Sequence, residues 1–578
     1  MLTIAYGEAN FENLRQAGEL FIDKTAFIPY LEGVKKFFFI RPRRFGKSLW
    51  ISVLQSYYDL KKQEKFDELF HELYIHKQPT ELKNSYLVLK FDFSGLDTSS
   101  EKNLMKSFHN RVSSELERFF YEYRFLFPST QEAHFFQDLK QKTAEESISL
   151  IRIEAGKQNL KVYTFIDEYD HFANKLASEG KEAFVRDIIS ETGYVRNFYE
   201  QMKIASGEGV FERFFITGVS PIMLDELASG FNIMSNMTTD PEFNEMLGFT
   251  AEEVRNLLDL LSDEYYQKKC KEEVFFDLIE YYNGYRFSKM AKNTLFNSDM
   301  LLYFLQYFSR HKTYPEEILD LNVKTDYSKL KGLIVGSSGK ENLKRILEEI
   351  NTQEYLTFQL VQRFTFENRL KDYELKSLLF FFGLLTMTNI PNRFVVPNQV
   401  IRTLHWEYFQ NFLEENGVDF DVSALHNCIA EMSESGKVEG LKNLAVDFFQ
   451  NKLSNFDFSA MTEKHIKFMF ISYFTLSKLY NIISERELPG GKRIDLLFEA
   501  HPAYYHYVMH NFIMEFKYIY KKDSPSVARA KREAAISQAK EYYETYKRDF
   551  KQFGRELHSM ALIVTHDKQV ELVEVAGF

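Results

Sequence analysis

Over 578 residues the chain has only two cysteines, Cys270 and Cys428, and two tryptophans. The cysteines stand far apart without metal-ligand spacing, so neither a disulfide framework nor a zinc site follows from them. Proline and glycine are scarce as well, at 12 and 25 residues, which argues for a helix-rich globular protein with few long loops and no low-complexity tract. Long apolar runs are missing. The most apolar stretch, LLFFFGLLTM over 378–387, is far shorter than the roughly 20 residues a membrane span needs. The first residues, MLTIAYGEANFENLR, carry no secretion signal, so a soluble cytoplasmic protein without a membrane partner is expected. Positive charge is in deficit. A net charge of −11 disfavours a broad surface that coats nucleic acid, although KYIYKKDSPSVARAKREAA over 517–535 is locally basic.

What is abundant is apolar and aromatic material. Hydrophobic residues make up 45% of the chain, with 57 Phe and 34 Tyr, enough for the cores of roughly three to four domains. The N-terminal part reads as strands separated by long helices. KFFFI (36–40) leads through the turn RPRRFGKS into the helix LWISVLQSYYDL, and further strands are expected at 86–93, 161–166 and 213–216. That alternation implies a parallel sheet covered on both faces. From about residue 250 the pattern is almost wholly helical until RFVV (393–396). After about residue 440 come helices at AVDFFQNKL and EKHIKFMFISYFTLSKLY, a strand pair, a basic helix at 528–546 and a last strand at 560–564.

Gly46, Lys47 and Ser48 form the tail of a phosphate-binding loop. Backbone N–H groups and the helix N-terminus attract phosphate, Lys47 reaches the β- and γ-phosphates, and Ser48 ligates Mg²⁺. The signature Gly-x-x-x-x-Gly-Lys-Ser/Thr here has Arg41 at its first glycine. An ordinary helix start with Ser48 as cap is the plain alternative. The strand YTFI ending in Asp167 and Glu168 supplies the other half of a nucleotide site, with Asp167 in the Mg²⁺ shell and Glu168 orienting or deprotonating water. An acidic pair capping the next helix is the bland reading. Thr217, at the end of the neighbouring strand, is placed to sense γ-phosphate or water, with an ordinary strand-end Thr as the equal alternative, while Arg43 and Arg44 are candidates to clamp charge and Arg286 to reach nucleotide from a lid.

A second constellation lies near the C-terminus. Asp495 sits among Ile494, Leu496 and Leu497, and Glu515 among Phe512, Ile513, Met514 and Phe516, so both acids fall in apolar runs of strand length. An acid there is costly unless paired. A divalent ion between Asp495 and Glu515 supplies the partner, and Lys517 points to the same strand face as Glu515. Glu-x-Lys alone carries little, since it recurs at Glu81–Lys83 and Glu374–Lys376 without an upstream strand-borne Asp. A Glu515–Lys517 salt bridge is the alternative. Gln538 and Tyr542, four apart on the basic helix, share a face.

On these residues the chain resembles bacterial AAA-ATPase-like proteins that carry a C-terminal PD-(D/E)XK nuclease-superfamily domain. FIDKTAFI, RPRRFGKSL, FIDEYD, FITGVSPI, LGFTAEEV, YYNGYRF, LLFFFGLLTM with VVPNQV, and GGKRIDLLF with IMEFKY occur in that order. The resemblance implies an α/β multidomain fold. A P-loop AAA-like ATPase core with a parallel sheet would span 1–245, a helical lid and small mixed or winged region 246–440, and an α/β nuclease-like domain 441–578. It implies Asp495 and Glu515 as metal ligands, with Glu463, ahead of Glu485, as a further acid, and Lys517 positioning water or stabilising the pentacovalent charge. Gln538 and Tyr542 resemble a Gln-x-x-x-Tyr helix that supports the site and contacts DNA. The expected activity is an ATP-regulated, metal-dependent nuclease using ATP and Mg²⁺ or Mn²⁺, acting on nucleic acid, DNA ahead of RNA, in a homo-oligomer. The alternative is a nucleotide-switched scaffold that grips nucleic acid or protein without cutting.

Overall fold

A computed structural model describes residues 3–577 apart from 5, 133, 179–192, 223–232, 262, 267–268, 320–339, 354, 363, 365–369, 454–457, 459–460, 475, 488–492 and 552–553. The chain divides into two compact units. The first comprises Met1–Arg310, Leu319–Leu343 and Tyr355–Asn398, the second His311–Ile318, Lys344–Glu354 and Gln399–Phe578.

The first unit is built on strands β1 (Lys36–Ile40), β2 (Leu87–Asp92), β3 (Val162–Asp167), β4 (Phe211–Gly218) and β5 (Ser235–Asn236), ordered β2-β3-β4-β1-β5. Every pairing is parallel. Long helices cross between them, as parallel strands require. All six residues of β3 are buried, the mark of a strand covered on both faces. Aromatic rings fill this core: Phe37 stacks on Phe215 at 5.4 Å and meets Phe243 edge-on at 4.8 Å. Each such buried ring contributes about 1.5–3 kcal/mol relative to exposure. The register sets Ile40 of β1 beside Gly218 of β4, and Ile166 of β3 beside Ile216. The loops leaving β1 and β3 therefore open at one edge, the carboxyl end of the sheet, where ligands bind in such folds. Three short strands, β6 (Leu356–Thr357), β7 (Thr386–Met387) and β8 (Arg393–Val395), form a separate small sheet. Only β8 is legible in the sequence, because two-residue strands carry no periodicity.

The second unit holds a mixed sheet of β9 (Tyr480–Glu487), β10 (Arg493–Ala500), β11 (His510–Ile519), β12 (Glu556–Thr565) and β13 (Val570–Ala576), ordered β13-β12-β11-β10-β9. Strands β11 and β12 run parallel and the other pairs antiparallel. The long helix Pro525–Lys551 is the crossover between the parallel pair. The edge strands β9 and β13 escape the sequence reading: NIISERE is largely polar, as edges tend to be, and the Val- and Leu-containing VELVEVA is broken by Glu571 and Glu574. The helix expected across 463–480 ends at Phe474, and Tyr480 already belongs to β9. Gly490, Gly491 and Lys492 of GGKRIDLLF lie outside the described residues. Among the described residues, no helix is long and apolar enough to cross a membrane.

Candidate functional sites on two sheets

In the first unit, Gly46 ends the loop after β1 with φ +85°, a left-handed conformation that glycine adopts without steric cost. The helix Lys47–Tyr58 starts directly behind it. Lys47 is buried, and its ammonium donates to the carbonyls of Arg41 and Pro42, each at 3.1 Å. Burial lowers its pKa, against the opposing charges of Glu168, Asp167 and Asp170. Ser48 Oγ donates to Asp167 Oδ2 over 2.7 Å, so the two halves of the expected Mg²⁺ shell touch. Glu168 adopts φ +50°, and its carboxylate stands 3.5 Å from His171 Nδ1. Burial alone would raise its pKa, but the hydrogen bond from His171 and the charges of Lys47, His171 and Arg43 push it down to about 2.

Gly46, Lys47, Ser48, Glu168 and His171 face a cavity of ≈ 490 Å³, and Asp167 lies behind Ser48 outside its lining. Its lining joins Arg43, Arg44, Gly46, Lys47, Ser48 and Glu168 with the apolar Leu14, Phe21, Ile22, Met246, Phe249 and Leu302. Cationic and apolar side chains in one cavity are what a nucleotide needs. Arg44 pairs with Asp299 at 2.9 Å.

Other expected residues lie elsewhere. Thr217 is fully buried and donates to Phe39 C=O at 2.6 Å, and it does not line the cavity. Arg286 donates to Ala291 C=O at 2.8 Å and is likewise absent from the lining. Arg41 is a buried brace. Its guanidinium donates to the carbonyls of Ile40, Thr238 and Phe243 at 2.8–3.0 Å and lies over the rings of Phe39 and Phe287 at 3.9 and 4.2 Å. It thus faces the core, leaving the phosphate position to Gly46 and Lys47.

Two residues here were not singled out in the sequence. His171 is one. Asp170 is the other: it accepts from the N–H and Oγ of Ser220, at 2.7 and 2.8 Å, and so ties the end of β3 to the end of β4. A Cβ on Gly218 would lie 2.1 Å from Asp170 Oδ1, which explains the glycine between Thr217 and Ser220.

In the second unit, the β10–β11 register pairs Leu496 with Met514 and Leu497 with Ile513. Continuing it one step sets Asp495 opposite Glu515. Asp495 Oδ2 accepts the N–H of Phe516 at 3.0 Å, and Oδ1 accepts from Lys467 Nζ at 2.8 Å. Lys467 also contacts Glu485. Burial opposes its charge, but Asp495 and Glu485 outweigh burial and raise its pKa. Lys517 donates to Glu463 Oε1 at 3.3 Å, and Glu463 Oε2 accepts the N–H of Tyr518 at 2.8 Å.

Glu515 is different. It is 4% exposed, and among the described residues its Oε2 has no hydrogen-bond partner. Burial first, and the charge of Asp495 second, push its pKa up to about 9. A buried carboxyl beside another carboxylate, with one oxygen unsatisfied, is where a cation fits. Asp495 and Glu515 would hold it, with the ion competing for Asp495 against Lys467, just as Glu463 and Glu485 are met by lysines. Tyr542 is buried against Ile483, Ile494, Leu497, Ile513 and Leu557, and its hydroxyl donates to Arg493 C=O at 2.9 Å. Gln538, one turn earlier, is exposed. Lys467 was missed in the sequence because a lysine inside HIKFMFI reads as solvent-seeking. Its spacing of four from Glu463 was the available signal.

Comparisons agree with this division. Residues 5–228 match the family described as predicted AAA-ATPase, and residues 461–574 match the PD-(D/E)XK nuclease superfamily. A protein of Azotobacter chroococcum mcd 1, named only as an uncharacterized protein in the vnfD 5′ region, is 24% identical over 251 residues. The match covers 43% of this chain and 43% of that protein. No solved structure matches. The two family matches fall on the two sheets that carry the two sites: the chain carries an AAA-ATPase-like region over residues 5–228 and a PD-(D/E)XK nuclease-superfamily region over residues 461–574.

Proposed function

We propose that the chain is an ATP-binding and ATP-hydrolysing protein that regulates or powers metal-dependent hydrolysis of nucleic-acid phosphodiester bonds, DNA ahead of RNA. Residues 1–245 act as the ATPase core, 246–440 as its lid and small domain, and 441–578 as the nuclease. The observation that carries the reading is Glu515, a buried carboxyl with an unsatisfied oxygen opposite Asp495. Bound between them, Mg²⁺ or Mn²⁺ would polarise the phosphate and acidify a water.

The protein groups have their own tasks. Asp495 is aimed by the N–H of Phe516. Lys517, two residues after Glu515 and on its face of β11, offers a positive charge to the anionic phosphate, with Glu463 holding its ammonium in place. Tyr542 braces the start of β10 through Arg493 C=O, and Gln538, exposed on the same helix, is available to the nucleic acid. In the first unit, Lys47, Arg43 and Gly46 receive the phosphates. Ser48 and Asp167 are the pair that would hold Mg²⁺, and Glu168, kept ionised, orients the attacking water. Asp495→Ala should abolish Mg²⁺-dependent cleavage and leave ATP binding intact. Undiminished cutting by that variant sinks the assignment.

A second reading has one observation in its favour. Lys467 and Lys517 already pair with Asp495, Glu485 and Glu463, as a non-cleaving nucleic-acid or protein scaffold would require. Nucleic-acid retention in EDTA, with no cleavage in Mg²⁺ or Mn²⁺ under any nucleotide, selects it.

A further inference from the structure

A different group of ligating side chains lies at the start of β11 and β12. The parallel register sets His510 beside Glu556 and Phe512 beside His558, so the two histidines are diagonal neighbours on adjacent strands. His510 Nδ1 and His558 Nε2 are 2.8 Å apart, and Glu556 Oε2 is 3.5 Å from His510 Nδ1. The three ligand atoms all lie within 4.8 Å of one another. Glu515 is five residues further along β11, about 16–17 Å at the rise of an extended strand, so this group is separate from the carboxylate site.

The surroundings hold the rings in place. Phe512 stacks on His558 with centroids 5.0 Å apart and planes inclined by 22°. Tyr480 donates to His510 C=O at 2.8 Å, fixing the start of β11. The helix Val422–Ser435 ends on Gly436 at φ +71°, directly against the pair. A Cβ at Gly436 would stand 2.9 Å from His558 Nε2 and 3.0 Å from His510 Nδ1. Glycine leaves open the space beside both nitrogens.

We propose that His510, His558 and Glu556 form a second metal site, for a borderline divalent transition ion of the Zn²⁺, Co²⁺ or Ni²⁺ class. Two imidazoles with one carboxylate suit these ions, and the hard Mg²⁺ and Ca²⁺ prefer all-oxygen sets. Metal–imidazole bonds of about 2.0–2.1 Å put cis ligands at 90° about 2.9 Å apart and tetrahedral ligands about 3.3 Å apart. The observed 2.8 Å meets the first with almost no movement and the second with an opening of about half an ångström. Without an ion the two nitrogens share a hydrogen bond; an ion takes the place of its proton, which moves to the other nitrogen of its own ring, so that both imidazoles bind neutral. Bound there, it clips together the starts of the two parallel strands, one of which carries Glu515 and Lys517.

The test is metal binding to untagged full-length protein stripped with EDTA, titrated with Zn²⁺ by calorimetry and with Co²⁺ by its visible d–d bands. The wild type and Asp495→Asn should each bind an ion that His510→Asn binds at least 10–100-fold more weakly, the range even an outer-shell partner contributes. Glu556→Gln should weaken it about tenfold. The Glu556 side chain is 73% exposed, so this variant keeps the fold and the result stays interpretable if His510→Asn does not. Equal affinity in wild type, His510→Asn and Glu556→Gln overturns the proposal, as does a wild type that binds neither ion. An ion lost only in Asp495→Asn assigns the binding to the carboxylates and also overturns it.

Discussion

Lys467 donates to Asp495 over 2.8 Å from one turn beyond Glu463 on the same helix. A lysine thus occupies the charge-balancing position beside an acid that the nuclease reading assigns to a metal. Ammonium and divalent ion compete for one carboxylate, and their competition is measurable.

Lys467→Met should lower the stability of metal-free protein by about 2–3 kcal/mol. That is less than the full cost of breaking a buried pair, because Glu485 is partly exposed and screened. The same change should tighten Mn²⁺ binding roughly tenfold, about 1.4 kcal/mol. Thermal melts with and without Mn²⁺ check both, the metal-induced rise being larger in the variant.

Glu515 gives a pH signature. Its folded pKa is pushed up to about 9 from an ordinary 4.5, so between those values the folded chain holds a proton that the unfolded chain has released. Stability from this group is therefore full below about pH 4.5 and lost as pH rises toward 9, by at most about 1.4 kcal/mol per unit. Glu515→Gln removes the dependence. Denaturant melts of metal-free protein at pH 5 and pH 8 should show the variant gaining on wild type at the higher pH.

Arg41→Gly restores the glycine of the standard phosphate-loop signature, yet it should harm the protein. It strands three buried carbonyls and empties the space between Phe39 and Phe287, costing about 3 kcal/mol or more. A fall in melting temperature with no gain in ATPase rate is the expected outcome.

On the proposed nucleotide site, Lys47→Ala removes the charge that would face the developing γ-phosphate anion and should slow ATP hydrolysis roughly a hundredfold or more. Wild-type turnover would refute the nucleotide site.

Glu168→Gln separates binding from hydrolysis. Nucleotide affinity, followed with a fluorescent ATP analogue, should persist while turnover falls about a hundredfold or more. With its pKa held near 2, Glu168 is ionised throughout the usual assay range, so wild-type activity between pH 5 and pH 8 should show no acid limb from this residue.

What the sequence determined by itself was whatever depends on neighbours along the chain. KFFFI reads as a strand and LWISVLQSYYDL as the helix behind the GKS turn, and the structure has β1 at Lys36–Ile40 and the helix at Lys47–Tyr58, starting two residues earlier. The apolar runs around Asp495 and Glu515 likewise announced two strands with costly acids in them. Tertiary structure decided what depends on pairing between distant segments. Arg41 looked like a defective phosphate loop until Thr238 and Phe243 supplied carbonyls from some 200 residues away. Lys467 does not stand out in the sequence, and only β9 and β10 set Glu485 and Asp495 against it. His510 and His558, 48 positions apart, became neighbours only because β11 and β12 run parallel with the helix Pro525–Lys551 between them. Local periodicity reports which face of an element is apolar, whereas charge compensation and metal ligation depend on distances of a few ångströms that only the packed register sets.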